Sequence, residues 1–205
     1  MPSPDRTGSY YMLLSVICFS IMDILVKLTT KDYPIGEIAF FRGLFGLIPI
    51  FFLIPKNKIF TFFRTDKPTL HFVRAFAGTF AMISTFIGVK YMQLADVVSI
   101  AQAAPVFVTI FSIIFLKEVV GYQRWLSVIA GLIGILFITK PGTSLFNVYS
   151  IFPIFFCIGF SIVAVSIKRL SKTEPDYLIA FYFTTLLIIV SFTAFFLKNG
   201  RCQVF

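Results

Sequence analysis

Long apolar runs recur along this chain at roughly 10–30, 35–54, 70–90, 95–116, 122–140, 148–167 and 177–197, separated by short polar turns. A bilayer core about 30 Å thick is crossed by roughly 20 helical residues rising 1.5 Å each. Within hydrocarbon the backbone must satisfy its own hydrogen bonds, which an α-helix does. Each run is therefore expected to be a membrane-spanning helix, about seven in all, and too few residues remain for a soluble domain. The expected fold class is all-α integral membrane. Composition agrees, with 58% apolar and 13% charged residues. A soluble domain carries about 25% charged residues to wet its surface. The first run is not read as a cleaved signal peptide, because it is long, contains Asp23 and lacks a small-x-small cleavage site.

The net charge of +9 does not point to nucleic acid, because the cations are distributed by loop. Arg6, then Lys56, Lys58, Arg64 and Lys67, then Lys117 and Arg124, then Lys168, Arg169 and Lys172 fall in alternate connecting segments. The intervening segments hold only Lys31, Lys90, Lys140, Lys198 and Arg201. This bias is the positive-inside pattern and predicts a cytoplasmic N-terminus. Tyr10, Tyr11, Tyr33, Tyr91, Tyr122, Tyr149, Tyr177 and Trp125 stand at expected helix ends, where amphipathic rings meet the headgroups. Cys18, Cys157 and Cys202 share no metal-ligand spacing, so neither a zinc site nor a disulfide framework is expected.

A shift of 141 residues aligns two stretches without a gap, FSIMDILVKLTTKDYPIGEIAFF at 19–41 and FSIVAVSIKRLSKTEPDYLIAFY at 160–182. The identities include Lys27/Lys168, Lys31/Lys172 and Pro34/Pro175 around the connecting turn. One copy, residues 10–140, holds five helices. An odd count sends the next copy across the membrane in the opposite sense, and inverted repeats of this kind are a building rule of secondary transporters. Residues 148–197 are read as the first two helices of the second copy and 198–205 as an atypical tail. The second copy is thus expected to be incomplete, its last three helices lacking.

At this point the chain resembles the EamA-type drug/metabolite transporter superfamily. The resemblance rests on FSIMDILVKL and P-x-x-E-I-A-F-F-R-G in the first two helices. It continues through Asp96-x-x-Ser-Ile-Ala-x-x-Ala-Pro-Val-Phe-Val, Phe-Leu-Lys-Glu118 and Trp-Leu-Ser-Val-Ile-Ala-Gly-Leu-Ile-Gly134. Within the superfamily the likeness is greatest to bacterial S-adenosylmethionine uptake carriers. It implies a ten-helix carrier in the cell inner membrane, so the missing helices would come from self-association or a partner half.

No nucleophile–base pair, phosphate loop or metal motif is present, and neither an enzyme nor a cofactor is expected. Ionisable residues inside spans are the candidate substrate-binding groups, because each costs about 2.5–3.5 kcal/mol at a helix centre. Asp23 lies about 20 Å along the first helix from Tyr10. It reads either as an i,i+4 partner of Lys27 or as an acidic cavity wall. Its repeat mate is Ala164, which favours the second reading. Arg42 is poorly placed to pair with Glu37 and is expected to reach across helices, to Asp23 or to ligand. Glu37 follows Pro34 at a helix start, where its charge suits the helix dipole.

In the fourth span Asp96, Ser99 and Ala103 share a helical face, with Gln102 nearby. Pro105 can kink that helix beside a cavity. Asp96 also reads as an N-cap. His71 is expected at the headgroup level, and Arg74 is expected to snorkel there. Gly43-x-x-Gly46 and Ala130-x-x-x-Gly134 read as close-packing surfaces. The leading expectation is a secondary carrier importing S-adenosylmethionine, whose sulfonium, zwitterion and base match Asp23, Arg42 and aromatic rings. An exporter of another metabolite or drug, or a truncated chain that transports nothing alone, are the other readings.

Overall fold

The computed structural model describes residues 4–54, 65, 67–117, 121–139 and 148–199. Lys56, Lys58, Arg64, Glu118, the turn at Lys140-Pro141-Gly142, Cys202 and residues 200–205 of the tail lie outside the described residues. The chain is helical throughout the described parts, with no strand among them. The helices are α1 (Pro4–Thr29), α2 (Ile35–Leu53), α3 (Pro68–Tyr91), α4 (Leu94–Ala101), α5 (Ala104–Leu116), α6 (Tyr122–Thr139), α7 (Ile151–Leu170) and α8 (Asp176–Asn199). A 3-10 turn, Val148–Ser150, leads into α7. Six helical segments are long and apolar enough to cross a membrane, with α4 and α5 together making one of them, Leu94–Leu116. With α6 the segments number seven and follow the expected apolar runs closely. The protein is an all-α, multi-pass membrane protein.

Proline sets several boundaries. Pro68 occupies the first turn of α3, where its missing N–H costs no hydrogen bond. Pro34 and Pro175 disfavour helix in the residue before them and restart it after, which places the α1–α2 and α7–α8 turns. These two turns are built alike. The N–H groups of Thr30, Asp32, Tyr33, Glu37 and Ile38 donate to the carbonyls of Val26, Thr29, Thr29, Pro34 and Pro34. In the second turn Ser171, Thr173, Glu174, Leu178 and Ile179 donate to Ile167, Leu170, Leu170, Pro175 and Pro175. Every donor and acceptor has moved by the same 141 residues. A side-chain bond moves with them, from Ser20 Oγ donating to the Val16 carbonyl to Ser161 Oγ donating to that of Cys157.

The packing centre is α3 against α7, with α8 closing over α3 and α2 and with α5 on the other flank of α7. Small residues allow the close approaches. A Cβ at Gly159 of α7 would stand 2.9 Å from Ala81 Cβ and 3.0 Å from the Ala77 carbonyl oxygen of α3. At Gly43 of α2 it would stand 2.7 Å from Ile188 Cγ1 of α8. The close-packing role expected of Gly43 is therefore found. Ala130 and Gly134 differ: nothing lies within 4 Å of a Cβ built at Gly134, whereas the neighbouring Gly131 faces Val106 of α5. The contact face of α6 is rotated by one residue step from the one read in sequence.

The main apolar cluster joins Val26 of α1, Ala39 of α2, Met82, Phe86 and Val89 of α3, Val97 and Ile100 of α4, and Leu187 of α8. Only one edge of α1 enters it. Some 6% of the α1 span is buried, against 50% of the α3 span, so the rest of α1 presents apolar side chains outward.

Candidate functional site

The intramembrane charges gather where α1, α2 and α3 meet. Asp23 is half-buried, one residue from Met22, which packs against the main cluster. Arg42 on α2 is half-buried and next to Gly43, whose lack of a side chain draws α2 onto α8. The Arg42 guanidinium carbon lies 5.6 Å from the centroid of the Phe86 ring. Phe86 itself is 2% exposed, so α3 and α4 hold this ring in place. Asp23 and Arg42 lie within electrostatic reach of each other, as expected of a cross-helix pair. The result is one carboxylate, one guanidinium and one aromatic face within a largely apolar surround, where low dielectric strengthens their fields.

Lys27 is not the partner of Asp23. Its ammonium donates to the carbonyl oxygens of Val89 at 2.5 Å and Met92 at 2.6 Å. These are carbonyls at the end of α3, which no further helical turn satisfies, and a cation there also suits the helix dipole. The i,i+4 alternative for Asp23 is thereby set aside.

The fourth span is broken, as Pro105 suggested. Helix α4 ends at Ala101, with Gln102 as its C-cap, and α5 starts at Ala104. Pro105 lacks the N–H that would bond to Ala101, and the thiol of Cys157 on α7 points instead at the carbonyls of Ile100 and Ala101, at 3.6 and 3.8 Å. This break changes the face read from sequence. Asp96, Ser99 and Gln102 form an exposed i,i+3 stripe, whereas Ala103 is buried against Cys157. Asp96 is not the N-cap, which is Gln93; it stands in the first turn of α4, where its charge faces the positive end of the helix dipole. Val97 and Ile100 point into the cluster beside Phe86 while Asp96, Ser99 and Gln102 point away. The structure therefore gathers Asp23 and Arg42, and sets the α4 stripe on a separate surface. Glu37 lies in the first turn of α2, as expected.

Sequence reasoning missed Phe86, one of 28 phenylalanines with nothing in its neighbours to single it out. It also missed the packing of two residues of α3. His71 is 1% exposed, with its ring 4.7 Å from that of Tyr182. Arg74 does not snorkel free: its guanidinium carbon lies 4.5 Å from the Phe183 ring centroid, and its Nε and Nη1 are buried. Among the described residues, no group of three or more His, Cys, Asp or Glu is arranged to hold a metal ion.

Comparison with known proteins bears on what such a cluster serves. The chain is 29% identical over 187 residues to a pseudopaline exporter of Pseudomonas aeruginosa, covering 91% of this chain and 65% of that protein. It is 28% identical over 188 residues to an S-adenosylmethionine uptake transporter of Rickettsia felis, covering 90% and 63%. A riboflavin transporter of Vibrio cholerae is 23% identical over 188 residues, covering 90% and 62%. The chain thus spans less than two thirds of the length of each. No solved structure matches it. Residues 6–140, from the start of α1 to the end of α6, match the EamA-like transporter family, and the chain belongs to that family.

Proposed function

We propose that this chain carries the solute-recognition elements of a secondary transporter for a small polar metabolite, with Asp23, Arg42 and Phe86 as the recognition group. The observation that carries the reading is the meeting of a carboxylate, a guanidinium and a buried aromatic ring within three membrane-spanning helices. Intramembrane charges are retained against an insertion cost of kilocalories where they serve a substrate or ion path. S-adenosylmethionine is the substrate we favour. Its sulfonium suits Asp23 and an aromatic face, and its carboxylate suits Arg42. The loop charges and the similarity to uptake transporters support uptake across a bacterial inner membrane with the N-terminus in the cytoplasm. The exposed Asp96, Ser99 and Gln102 stripe on α4 is read as a second wall of the path, reached in another conformation.

The five backbone hydrogen bonds shared by the two turns support the inverted repeat, with 10–140 as one copy and 148–197 as the start of another. In that register Pro153, Cys157, Ser161 and Val165 of α7 are mates of Met12, Val16, Ser20 and Ile24 of α1. The first set is buried and the second exposed. Of the α7 set, Pro153 packs against Gly88 of α3 and Cys157 against the α4–α5 break, so the α1 set is suited to the corresponding helices of the second copy. Transport is accordingly assigned to the two repeats acting together. Export of a different amphipathic solute is the second reading, favoured by the likeness to the pseudopaline exporter.

Labelled S-adenosylmethionine uptake tests the reading in cells expressing the chain together with the last third of a full-length relative. Saturable uptake is expected there. Background uptake, with both polypeptides present in the membrane, contradicts it.

A further inference from the structure

The Lys67 end of α3 holds a second polar group, distinct from the Asp23–Arg42 cluster. Arg74 and Phe86 are twelve residues apart on one helix, about 18 Å. Both imidazole nitrogens of His71 are buried and accept or donate no hydrogen bond to any described residue, and the same is true of Arg74 Nε and Nη1. Aromatic rings hold both side chains in place: Tyr182 lies against the His71 ring and Phe183 under the Arg74 guanidinium. Gly78, one turn along α3, lets Phe183 approach so closely that a Cβ there would stand 2.9 Å from the ring.

A carboxylate stands beside this group. Glu174 lies within electrostatic reach of His71 but accepts a hydrogen bond from Thr65 Oγ1 at 2.8 Å. Lys67 Nζ donates to Thr173 Oγ1 at 3.1 Å, so the segment before α3 is latched to the α7–α8 turn beside this group. The site therefore presents a fixed guanidinium edge and an imidazole, with a further cation at its rim. A planar guanidinium offers paired N–H donors matched to phosphate oxygens, and its rigid seat on Phe183 removes most of the ordering cost of binding. A cation–π contact alone contributes less than the penalty for a buried unpaired charge.

We infer that His71 and Arg74, seated on Tyr182 and Phe183 between α3 and α8, form a phosphate-binding site at the Lys67 end of α3. The phosphate is either the diester of an anionic lipid headgroup or a free phosphate group. The site lies about 9 Å along the helix from Pro68, a depth open to either source.

His71 is the sole histidine of the chain, so histidine-selective ¹⁵N labelling gives one imidazole whose resonances report on this site alone. The chain in dodecyl maltoside micelles, which carry no phosphate, is titrated with inorganic phosphate against chloride at matched ionic strength. In a second arm the micelles carry increasing phosphatidylglycerol. A saturable shift in the first arm assigns a free phosphate, and a shift in the second alone assigns a lipid headgroup. Arg74→Gln is expected to weaken the response about ten-fold or more, and Arg74→Lys by less, since the charge remains but the paired donors are lost. No shift in either arm with the wild-type chain overturns the inference. So does a shift of unchanged midpoint in folded Arg74→Gln.

Discussion

Arg42 on α2 and Phe86 on α3 form a cation–ring contact, 5.6 Å from guanidinium carbon to ring centroid, at the point where α1 brings Asp23 alongside. Phe86 is thus both a core residue and one wall of the recognition group. The two roles separate by substitution. Phe86→Leu keeps most of the buried volume but removes the ring face, and is expected to cost about 1 kcal/mol of stability. Phe86→Ala opens a cavity and is expected to cost about 3–5 kcal/mol. Thermal unfolding in nanodiscs measures both, and equal losses for the two variants would remove Phe86 from the account of Arg42.

Lys27 supports the end of α3 rather than neutralising Asp23. Lys27→Met removes a cation from two carbonyls, and hydrogen bonds to charged groups contribute about 1.5–3 kcal/mol each. Destabilisation of that order is expected. Asp23→Asn should leave it unchanged, and the effects of the two substitutions should add within about 0.5 kcal/mol. A double variant that recovers the stability lost in Lys27→Met would restore the i,i+4 pair.

Helix α7 depends on Gly159. A methyl group there meets the Ala77 carbonyl oxygen and Ala81 Cβ, which cannot swing aside. Gly159→Ala is expected to destabilise by about 1–3 kcal/mol through overpacking. By contrast, Gly134→Ala meets nothing within 4 Å and is expected to be neutral or to stabilise by up to about 1 kcal/mol through helix propensity. The order of their melting temperatures checks the α3–α7 packing directly.

How much of this was legible in the chain follows from what a bilayer demands. Span ends were readable because length and hydropathy are fixed by membrane thickness, and the prolines at 34, 68 and 175 mark their starts. Depth along a helix was readable too, and it placed Asp23 and Arg42 correctly within spans. The direction in which a side chain points was not. His71 and Arg74 sit near a helix end and read as interfacial, but Tyr182 and Phe183 of α8, more than 100 residues on, bury them. The Asp96–Ser99–Ala103 face assumed an unbroken helix. The break at Gln102–Ala103, which Pro105 itself causes, turned Ala103 inward and left Gln102 in line.

Loop charge makes an orientation prediction independent of any substrate. A reporter fused after Lys58 or Lys117 is expected to behave as cytoplasmic, and one fused after Lys140 as external. A reporter after Lys58 that reads external would reverse the whole topology.

The central claim is that Asp23 and Arg42 recognise the solute, and binding tests it more directly than transport, because α1, α2 and α3 are all present in this chain. Saturable binding of labelled S-adenosylmethionine to the purified chain in nanodiscs is the measurement, repeated with Asp23→Asn and Arg42→Gln. The account predicts saturable binding to the wild-type chain, weakened about ten-fold or more by either substitution while the helical content and melting temperature stay near wild type. Saturable binding that is indifferent to both substitutions, or none by the folded wild-type chain, would contradict it.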